Sequence, residues 1–155
     1  MKVQDVMVKN VKFCTSKMNL AAAAEILWNA GVGALPVVEE GRVLGIITDR
    51  DIAIALGTRD VRAGDVFVKD VTLPKIFYCQ PEDDIHVALG TMKAQRVRRL
   101  PVIDEKGALT GILCLDDIVL YAEETGGELS YADVVETMHA ICEHPALGRI
   151  LAVAR

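Results

Sequence analysis

Two stretches of this chain repeat each other, and the repeat decides the fold. Leu35–Leu56 reads LPVVEEGRVLGIITDRDIAIAL, and Leu100–Ala122 reads LPVIDEKGALTGILCLDDIVLYA. Equivalent residues lie 65 positions apart before the turn of each stretch and 66 apart after it, as Asp51 and Asp117 do. Two copies are too few for a solenoid, so the repeat predicts a pseudo-symmetric pair that shares a core, with equivalent sites in the grooves between the copies.

Composition restricts the class of protein. With 155 residues and 52% hydrophobic residues, the chain suits one compact domain or a tightly fused pair of small ones. Its net charge of −5 argues against general binding to nucleic acid, which depends on Lys and Arg neutralising phosphates. There is no apolar run of about 20 residues to span a membrane and no signal-peptide pattern. Four cysteines without a CxxC pair are typical of reduced thiols, so we expect a cytoplasmic protein.

The predicted elements follow the same order in both copies: extended segment, helix, two strands, helix. Copy one is assigned to residues 1–60, copy two to residues 61–123, and a C-terminal helical extension to residues 124–155. The predicted elements of copy one are an extended segment at Val6–Val11, a helix at Leu20–Asn29, strands at Ala34–Val38 and Val43–Thr48, and a helix from Asp49. Copy two should open with an extended segment at Val66–Val71, followed by about five extra residues before Cys79 and a helix at Ile85–Gln95. Asn19 and Asp84 are the predicted N-caps of the first helix of each copy, and Gly31 is expected to end the helix of copy one.

The extension carries helix signals of its own. Ser130 and Asp133 form a capping-box pattern ahead of a helix that reaches Cys142, and Pro145 should open another short apolar helix, Ala146–Ala154. Tyr131, Val134, Val135, Met138 and Ile141 are expected on one side of the first helix. Two interpretations stay open: the extension packs on the body or on a second subunit, or it docks a partner.

The β-α-β-β-α order, with PV before the turn and the pattern GIITDRD after it, resembles the CBS domain, named after cystathionine β-synthase. The resemblance covers about residues 3–122. It implies an α/β (α+β) fold of two CBS repeats packed with pseudo-two-fold symmetry, known as a CBS pair or Bateman module. Such pairs commonly bind adenine nucleotides or related adenosyl ligands between the copies and act as sensors. They also commonly form homodimers.

The resemblance suggests a site in copy one. Asp51 would accept hydrogen bonds from the ribose hydroxyls, Thr48 would donate its hydroxyl to ribose or phosphate, and Arg50 would reach phosphate. The backbone around Val11 and the strand at Leu35 and Pro36 would line the base pocket. The competing interpretation gives Thr48 and Asp51 the roles of N-cap and first-turn residue of a helix, which are compatible with binding.

Copy two departs from the motif. It retains Asp117 but places Cys114 where Thr48 stands, and a thiol is a weak hydrogen-bond donor. This second site is therefore expected to be weaker, empty or selective for another ligand. Copy two also carries Arg98 and Arg99 just before its PV strand, where the family places phosphate-facing cations. The alternative is a solvated helix end paired with carboxylates.

The remaining features argue against catalysis. None of the three histidines lies in a motif that pairs a nucleophile with a base. His139, Cys142 and His144 supply three zinc-type ligands without a fourth, so we expect no metal. The sequence predicts a non-catalytic module that senses a nucleotide, needs no cofactor, and relays ligand state through a homodimer or an unidentified partner. The alternative is an interaction module that dimerises without a ligand.

Overall fold

The computed structural model describes residues 1–73, 75–123 and 127–143. Its fold is the predicted one: two copies of a helix, an antiparallel hairpin and a second helix, followed by a C-terminal helix. The elements are α1 (Val3–Val6), α2 (Leu20–Ala30), β1 (Ala34–Glu39), β2 (Arg42–Thr48), α3 (Asp49–Arg59), α4 (Ile85–Gln95), β3 (Arg99–Ile103), β4 (Leu109–Cys114), α5 (Leu115–Ile118) and α6 (Tyr131–Cys142). Within the described residues, no helix has the length and apolar character of a membrane span.

The long helices begin and end where local chemistry dictates. The Asn19 side chain accepts a hydrogen bond from the backbone N–H of Ala22 (2.9 Å) and so caps α2, and the Asp84 side chain caps α4 in the same way. Gly31 ends α2 in the left-handed conformation, with φ of 64°. These predicted caps are confirmed.

Each copy contains one hairpin. Glu40 and Gly41 connect β1 to β2, and both have positive φ (49° and 78°), as a two-residue turn that matches strand twist requires. In the second hairpin, the Asp104 carboxylate accepts hydrogen bonds from the backbone N–H groups of Lys106 and Ala108. The one-residue insertion therefore lies in a longer turn, as the repeat predicted.

The predicted extended segments at the start of each copy are mostly absent. Within Val6–Val11, Val8 forms one isolated antiparallel bridge with Ile112, and Asn10 has a positive φ of 58°. Each copy instead opens with a helical turn at Val3–Val6 and a 3₁₀ turn at Val68–Asp70. The leading strand of each copy is a single parallel bridge further along, from Cys14 to Val37 in copy one and from Cys79 to Val102 in copy two.

The two copies exchange these leading turns. The backbone N–H of Val3 donates to the carbonyl of Asp83 in copy two (2.9 Å), and the N–H of Val68 donates to the carbonyl of Met18 in copy one (2.8 Å). Both donors and both acceptors lie 65 positions apart. The copies therefore correspond at an offset of 65 from their first turns to their hairpins, and the predicted five-residue insertion before Cys79 is wrong.

Packing follows the same exchange. Val3 and Val6 are buried in the core of copy two, among α4, β3 and β4. Val66 and Val68 are buried in the core of copy one, among α2, β1 and β2. Each core is completed by the leading segment of the other copy, so the two copies form one structural unit.

The C-terminal helix α6 packs on copy two. The hydroxyl of Ser130 and the carboxylate of Asp133 form the predicted capping box. Val134 and Ile141 are buried, but Tyr131 and Val135, which were expected on the same side, are exposed. Thr137 is buried in their place because its hydroxyl donates to the carbonyl of Asp133 (2.7 Å). The predicted apolar helix at Ala146–Ala154 lies outside the described residues.

Truncation of an exchanged valine tests this packing. Val3→Ala and Val68→Ala each remove two methyl groups from a fully buried site, so each variant should lose about 2 kcal/mol of unfolding free energy in urea titrations. In hydrogen exchange, Val3→Ala should deprotect α4 and β3 before α2, and Val68→Ala should do the reverse. Val8→Ala, at a 44% exposed position, is the control. Deprotection of α2 alone by Val3→Ala, or of α4 alone by Val68→Ala, would contradict the exchange.

Candidate nucleotide site

The motif residues lie where a strand passes into a helix. In copy one, Thr48 ends β2 and caps α3. Its hydroxyl accepts from the backbone N–H of Asp51 (3.1 Å) and donates to Oδ2 of Asp51 (2.7 Å), and the same oxygen accepts from the backbone N–H of Thr48 (2.9 Å). Two of these three bonds end on one carboxylate oxygen, Oδ2, so Asp51 retains its other oxygen with which to accept from a ligand.

The equivalent junction of copy two is built differently. Cys114 ends β4 and makes no side-chain cap on α5. Burial, and after it the nearby Asp117 carboxylate, raise the pKa of the Cys114 thiol to about 11, and Arg99 opposes the shift. The thiol is therefore protonated at neutral pH. Asp117 lacks the capping box that holds the carboxylate of Asp51.

A glycine in each motif lets the leading segment of a copy reach the sheet. A Cβ on Gly111 would lie 2.7 Å from Sδ of Met7 and 3.0 Å from the carbonyl oxygen of Val8. This close approach allows a backbone pair to form, in which Val8 and Ile112 each donate a hydrogen bond to the other's carbonyl, at 2.9 and 3.0 Å. Gly45 is crowded in the same way by Thr72 and Leu73.

Between the copies lies a cleft of about 490 Å³, here called the Asp117 cleft. Its floor is the Val8–Ile112 pair, one wall is the backbone that follows α2, and the other is the start of α5. Its lining residues are Val8, Asn10, Val11, Lys12, Ala30, Gly31, Val32, Gly33, Ala34, Arg99, Ile112, Cys114, Asp116 and Asp117. The volume falls within the range of small-molecule sites, and the lining is apolar with a few charged groups.

The Asp117 cleft contains equal numbers of cationic and anionic side chains. Arg99, half-buried and paired across the hairpin with Cys114, and Lys12 supply two cations. Asp116 and Asp117 supply two carboxylates. The guanidinium of Arg99 passes close to Gly33, where a Cβ would lie 3.6 Å from its Nη2. The cleft therefore presents both hydrogen-bond acceptors and a half-buried cation to a ligand.

A family model for the CBS domain matches residues 3–58 and 68–124. The chain belongs to the CBS-domain family. The two matched segments are the two copies described above, so the molecule is a tandem CBS protein, as the resemblance implied.

Relatives and solved structures agree with this assignment. The CBS domain-containing protein YhcV of Bacillus subtilis is 33% identical over 118 residues, which cover 76% of this chain and 83% of YhcV. Hypoxic response protein 1 of Mycobacterium tuberculosis is 30% identical over 146 residues, covering 94% of this chain and 96% of that protein. A crystal structure of Hypoxic Response Protein I with two coordinated zinc ions has a TM-score of 0.72 at 28% identity, covering 79% of this chain and all of that one.

A further structure includes adenosyl ligands. The CBS domain pair of protein MJ0100, crystallised with 5′-methylthioadenosine and S-adenosyl-L-methionine, has a TM-score of 0.70 at 25% identity. The match covers 77% of this chain and 94% of that chain.

The structure divides the predicted site residues of this CBS pair between two places. Val11, Arg99 and Asp117 line the Asp117 cleft. Thr48 and Asp51 lie at the other junction, with Arg50 exposed beside them, and the groove that the repeat predicts there is called the Asp51 groove below. Val11 had been grouped with Asp51, but the exchange of leading segments moves it to the cleft of copy two.

Three other predicted residues lie outside the lining of the Asp117 cleft. The Leu35 side chain is fully buried in the core of copy one. Pro36 is buried as well, and its carbonyl accepts from the backbone N–H of Cys14 (3.0 Å). Arg98 is exposed, and its carbonyl accepts from the N–H of Leu115 (2.9 Å).

Sequence reasoning missed part of the Asp117 cleft. Val8, Lys12 and Ile112 were not singled out. The sequence pattern that could have identified them is V-x-D-V at Val3–Val6, which recurs as VKDV at residues 68–71. With that offset the segment after α1 lies against copy two, where Val8, Asn10, Val11 and Lys12 line the cleft.

No metal site is found in the part of the chain that the structure describes, where no cluster of three or more His, Cys, Asp or Glu side chains is suited to an ion. His139 and Cys142 lie near the end of α6, and Nδ1 of His139 is 3.8 Å from the Glu143 carboxylate. His144, the third member of the zinc-type group considered from sequence, lies outside the described residues.

The two junctions can be made alike by one substitution. Cys114→Thr places a hydroxyl at an extended N-cap position, three residues before Asp117, and should build the capping box of copy one. We expect a gain of about 1 kcal/mol in unfolding free energy over Cys114→Ala, and a loss of about 1 kcal/mol for Thr48→Ala. Urea denaturation measures both. Equal stability of Cys114→Thr and Cys114→Ala would show that this junction does not accept a cap.

Proposed function

We propose that this chain is a non-catalytic regulatory module that binds an adenine nucleotide or a related adenosyl ligand between its CBS repeats. The observation that carries the proposal is the Asp117 cleft, which combines an apolar floor with a carboxylate and a half-buried arginine. The adenosyl ligands of the MJ0100 pair support this choice of ligand class.

Each part of such a ligand has a chemical counterpart in the Asp117 cleft. Val8, Val11 and Ile112 offer apolar surface to a base. The Asp117 carboxylate, which only accepts hydrogen bonds when ionised, suits the two ribose hydroxyls. Arg99 offers a forked donor to a phosphate.

The Asp51 groove is proposed as a second, unequal site. There the hydroxyl of Thr48 and the carboxylate of Asp51 are already aligned by the capping box, and Arg50 is exposed on the first turn of α3. At the offset of 65, Arg98 corresponds to Gly33, which lines the Asp117 cleft. Pseudo-symmetry therefore assigns Arg98 to the mouth of the Asp51 groove, where its charge favours a phosphate. Neither site requires a cofactor.

Regulation, not catalysis, fits the chemistry of these sites. The one thiol in the Asp117 cleft has a pKa of about 11, so it is not a nucleophile at neutral pH. Because both sites lie between the copies, a bound ligand would favour one packing of the two repeats over others. We propose that a homodimer or a regulated partner in the cytoplasm responds to that difference.

Thermal denaturation with AMP, ATP, S-adenosylmethionine and NADH tests ligand binding. A ligand at about one hundred times its dissociation constant should raise the unfolding free energy by about 2.7 kcal/mol. A response to none of the four would contradict sensing of this ligand class and favour the alternative, a module that associates without a ligand. The exposed Trp28 is the observation that favours this alternative.

Paired isosteric variants assign the sites. Asp117→Asn should weaken binding in the Asp117 cleft at least about tenfold. The carboxylate can accept from two ribose hydroxyls, whereas the amide that replaces it has one accepting oxygen and a donating NH2 group. Asp51→Asn should weaken binding in the Asp51 groove by a similar factor. Isothermal titration would show one class of sites lost in each variant and both lost in the double variant. Unchanged binding in the double variant would overturn both assignments.

The same titration has an internal control. Asp104→Asn changes a carboxylate that serves the β3–β4 turn and lies in neither site. It should leave nucleotide affinity unchanged, although it lowers stability. A loss of affinity equal to that of Asp117→Asn would mean that stability, and not a contact with the ligand, controls the measured binding.

A further inference from the structure

The two candidate sites differ in charge. The Asp117 cleft has two cations, Lys12 and Arg99, and two carboxylates, Asp116 and Asp117, so their formal charges cancel. Asp117 is assigned to the ribose, which leaves Asp116 as a carboxylate beside the rest of a ligand. A ligand with a strongly anionic end therefore meets a carboxylate as well as cations in this cleft.

The residues of the Asp51 groove follow from the way in which copy two reaches copy one. Thr72 and Leu73 cross β2 at Gly45, where a Cβ would lie 2.6 Å from Cγ2 of Thr72 and 3.2 Å from the carbonyl oxygen of Leu73. The leading segment of copy one crosses β4 at Gly111 with the same crowding, 65 positions earlier in the chain. The chain beyond Leu73 therefore runs beside the Asp51 groove as residues 10–12 run beside the Asp117 cleft.

This correspondence gives the Asp51 groove a set of cations that the Asp117 cleft lacks. Four positions that carry no positive charge in the cleft have a cation as their counterpart: Lys75 for Asn10, Arg96 for Gly31, Arg98 for Gly33 and Arg50 for Asp116. All four cations are exposed, and no salt bridge to a described residue involves any of them. Asp51 is the single carboxylate among the counterparts of the cleft-lining residues. The groove is therefore strongly cationic.

A third carboxylate lies beside the half-buried cation of the Asp117 cleft. A Cβ on Gly33 would lie 3.6 Å from Nη2 of Arg99 and 3.5 Å from Oδ2 of Asp49, so both charged groups approach the same backbone position. At the offset of 66, Asp49 corresponds to Leu115, which is buried. Copy two therefore has no carboxylate at the equivalent place beside Arg98, and the difference in charge between the two sites becomes larger.

Electrostatics then favours a different ligand in each site. A triphosphate concentrates several negative charges at one end, and charges within roughly 8 Å of one another interact before salt screens them. The cations of the Asp51 groove stabilise such a group, whereas Asp116 repels it. A zwitterionic tail gains from both signs in the Asp117 cleft. Its ammonium can face Asp116, and its carboxylate can accept from Arg99, whose fork suits a carboxylate as well as a phosphate.

We propose that the two sites bind different classes of ligand. The Asp51 groove takes a nucleoside polyphosphate, and the Asp117 cleft takes an adenosyl ligand that ends in a zwitterionic amino-acid group. Arg50 and Asp116, which occupy equivalent positions, determine this selectivity. The inference rests on the proposed function and adds to it the ligand class of each site. A module with two such sites responds to two ligands at once, and not to one ligand bound twice.

Titration calorimetry of single-site variants tests the division, with ATP and S-adenosylmethionine as probes. Asp51→Asn leaves the Asp117 cleft intact, and there S-adenosylmethionine should bind at least about tenfold more tightly than ATP. In Asp117→Asn, which leaves the Asp51 groove, the order should reverse, and added salt should weaken the binding of ATP. The same preferred ligand in both variants would overturn the division and leave the proposed function standing. Absence of all binding in the unaltered chain would overturn both.

Exchange of the two selecting residues tests their role directly. Asp116→Arg gives the Asp117 cleft the residue of copy one, so its affinity for ATP relative to S-adenosylmethionine should rise about tenfold or more. Arg50→Asp should lower that ratio in the Asp51 groove by a similar factor. Each change is made in the variant that lacks the other site, and a melting curve confirms that both exposed first-turn positions tolerate it. An unchanged ratio in folded variants would overturn the role of these residues.

Glu105→Arg is the matched control for Asp116→Arg. Glu105 is exposed in the β3–β4 turn, at the opposite end of the hairpin from Arg99 and Cys114, and it lines neither site. The variant makes the same change in net charge and should leave the ratio of the two affinities unchanged. A shift equal to that of Asp116→Arg would mean that the net charge of the chain controls the ratio, and this would overturn the assignment.

Discussion

The structure depends on the exchange of two short turns between the copies. Val3 and Val68 each donate a backbone hydrogen bond to a carbonyl just before the long helix of the opposite copy, and each side chain is fully buried there. A repeat of roughly 60 residues has a marginal core by itself. Because each core is completed by the other copy's segment, neither copy can unfold or move away without exposing apolar surface in both.

The exchange also creates the candidate site. After α1, the chain runs back over β4, and this is possible only because Gly111 has no side chain to collide with Met7 and Val8. The backbone pair of Val8 and Ile112 then becomes the floor of the Asp117 cleft. The motif glycine Gly111 is therefore required by a contact with the leading segment of the other copy. The cleft is formed by the pair of repeats and not by one repeat.

The features that could be predicted from the sequence are those that neighbouring residues control. Asn19, Asp84 and Ser130 accept hydrogen bonds from their own helices, so their roles depend only on neighbouring residues. The exchange depends on distant contacts and could not be predicted in this way. DVMVKNV also resembles DVFVKDV more closely than it resembles the true equivalent, DVTLPKI, because the apolar spacing recurs at an offset of 60. The same similarity produced the wrong five-residue insertion before Cys79. The family resemblance grouped Val11 with Asp51, whereas in the structure Val11 lines the Asp117 cleft, and Thr48 and Asp51, on adjoining elements, are hydrogen-bonded to each other.

The Asp117 cleft shares one piece of backbone with an open groove of about 680 Å³ between α2 and α3. Gly31, Val32 and Gly33 line both, with the cleft on one side and the groove on the other. Arg99 passes close to Gly33 on the cleft side, and Asp49 lies near the same glycine on the groove side. A ligand that repositions Arg99 would therefore act directly on the segment that forms the wall of the groove. A molecule bound in the groove would be coupled to the cleft without a long pathway, because it would contact the same three residues.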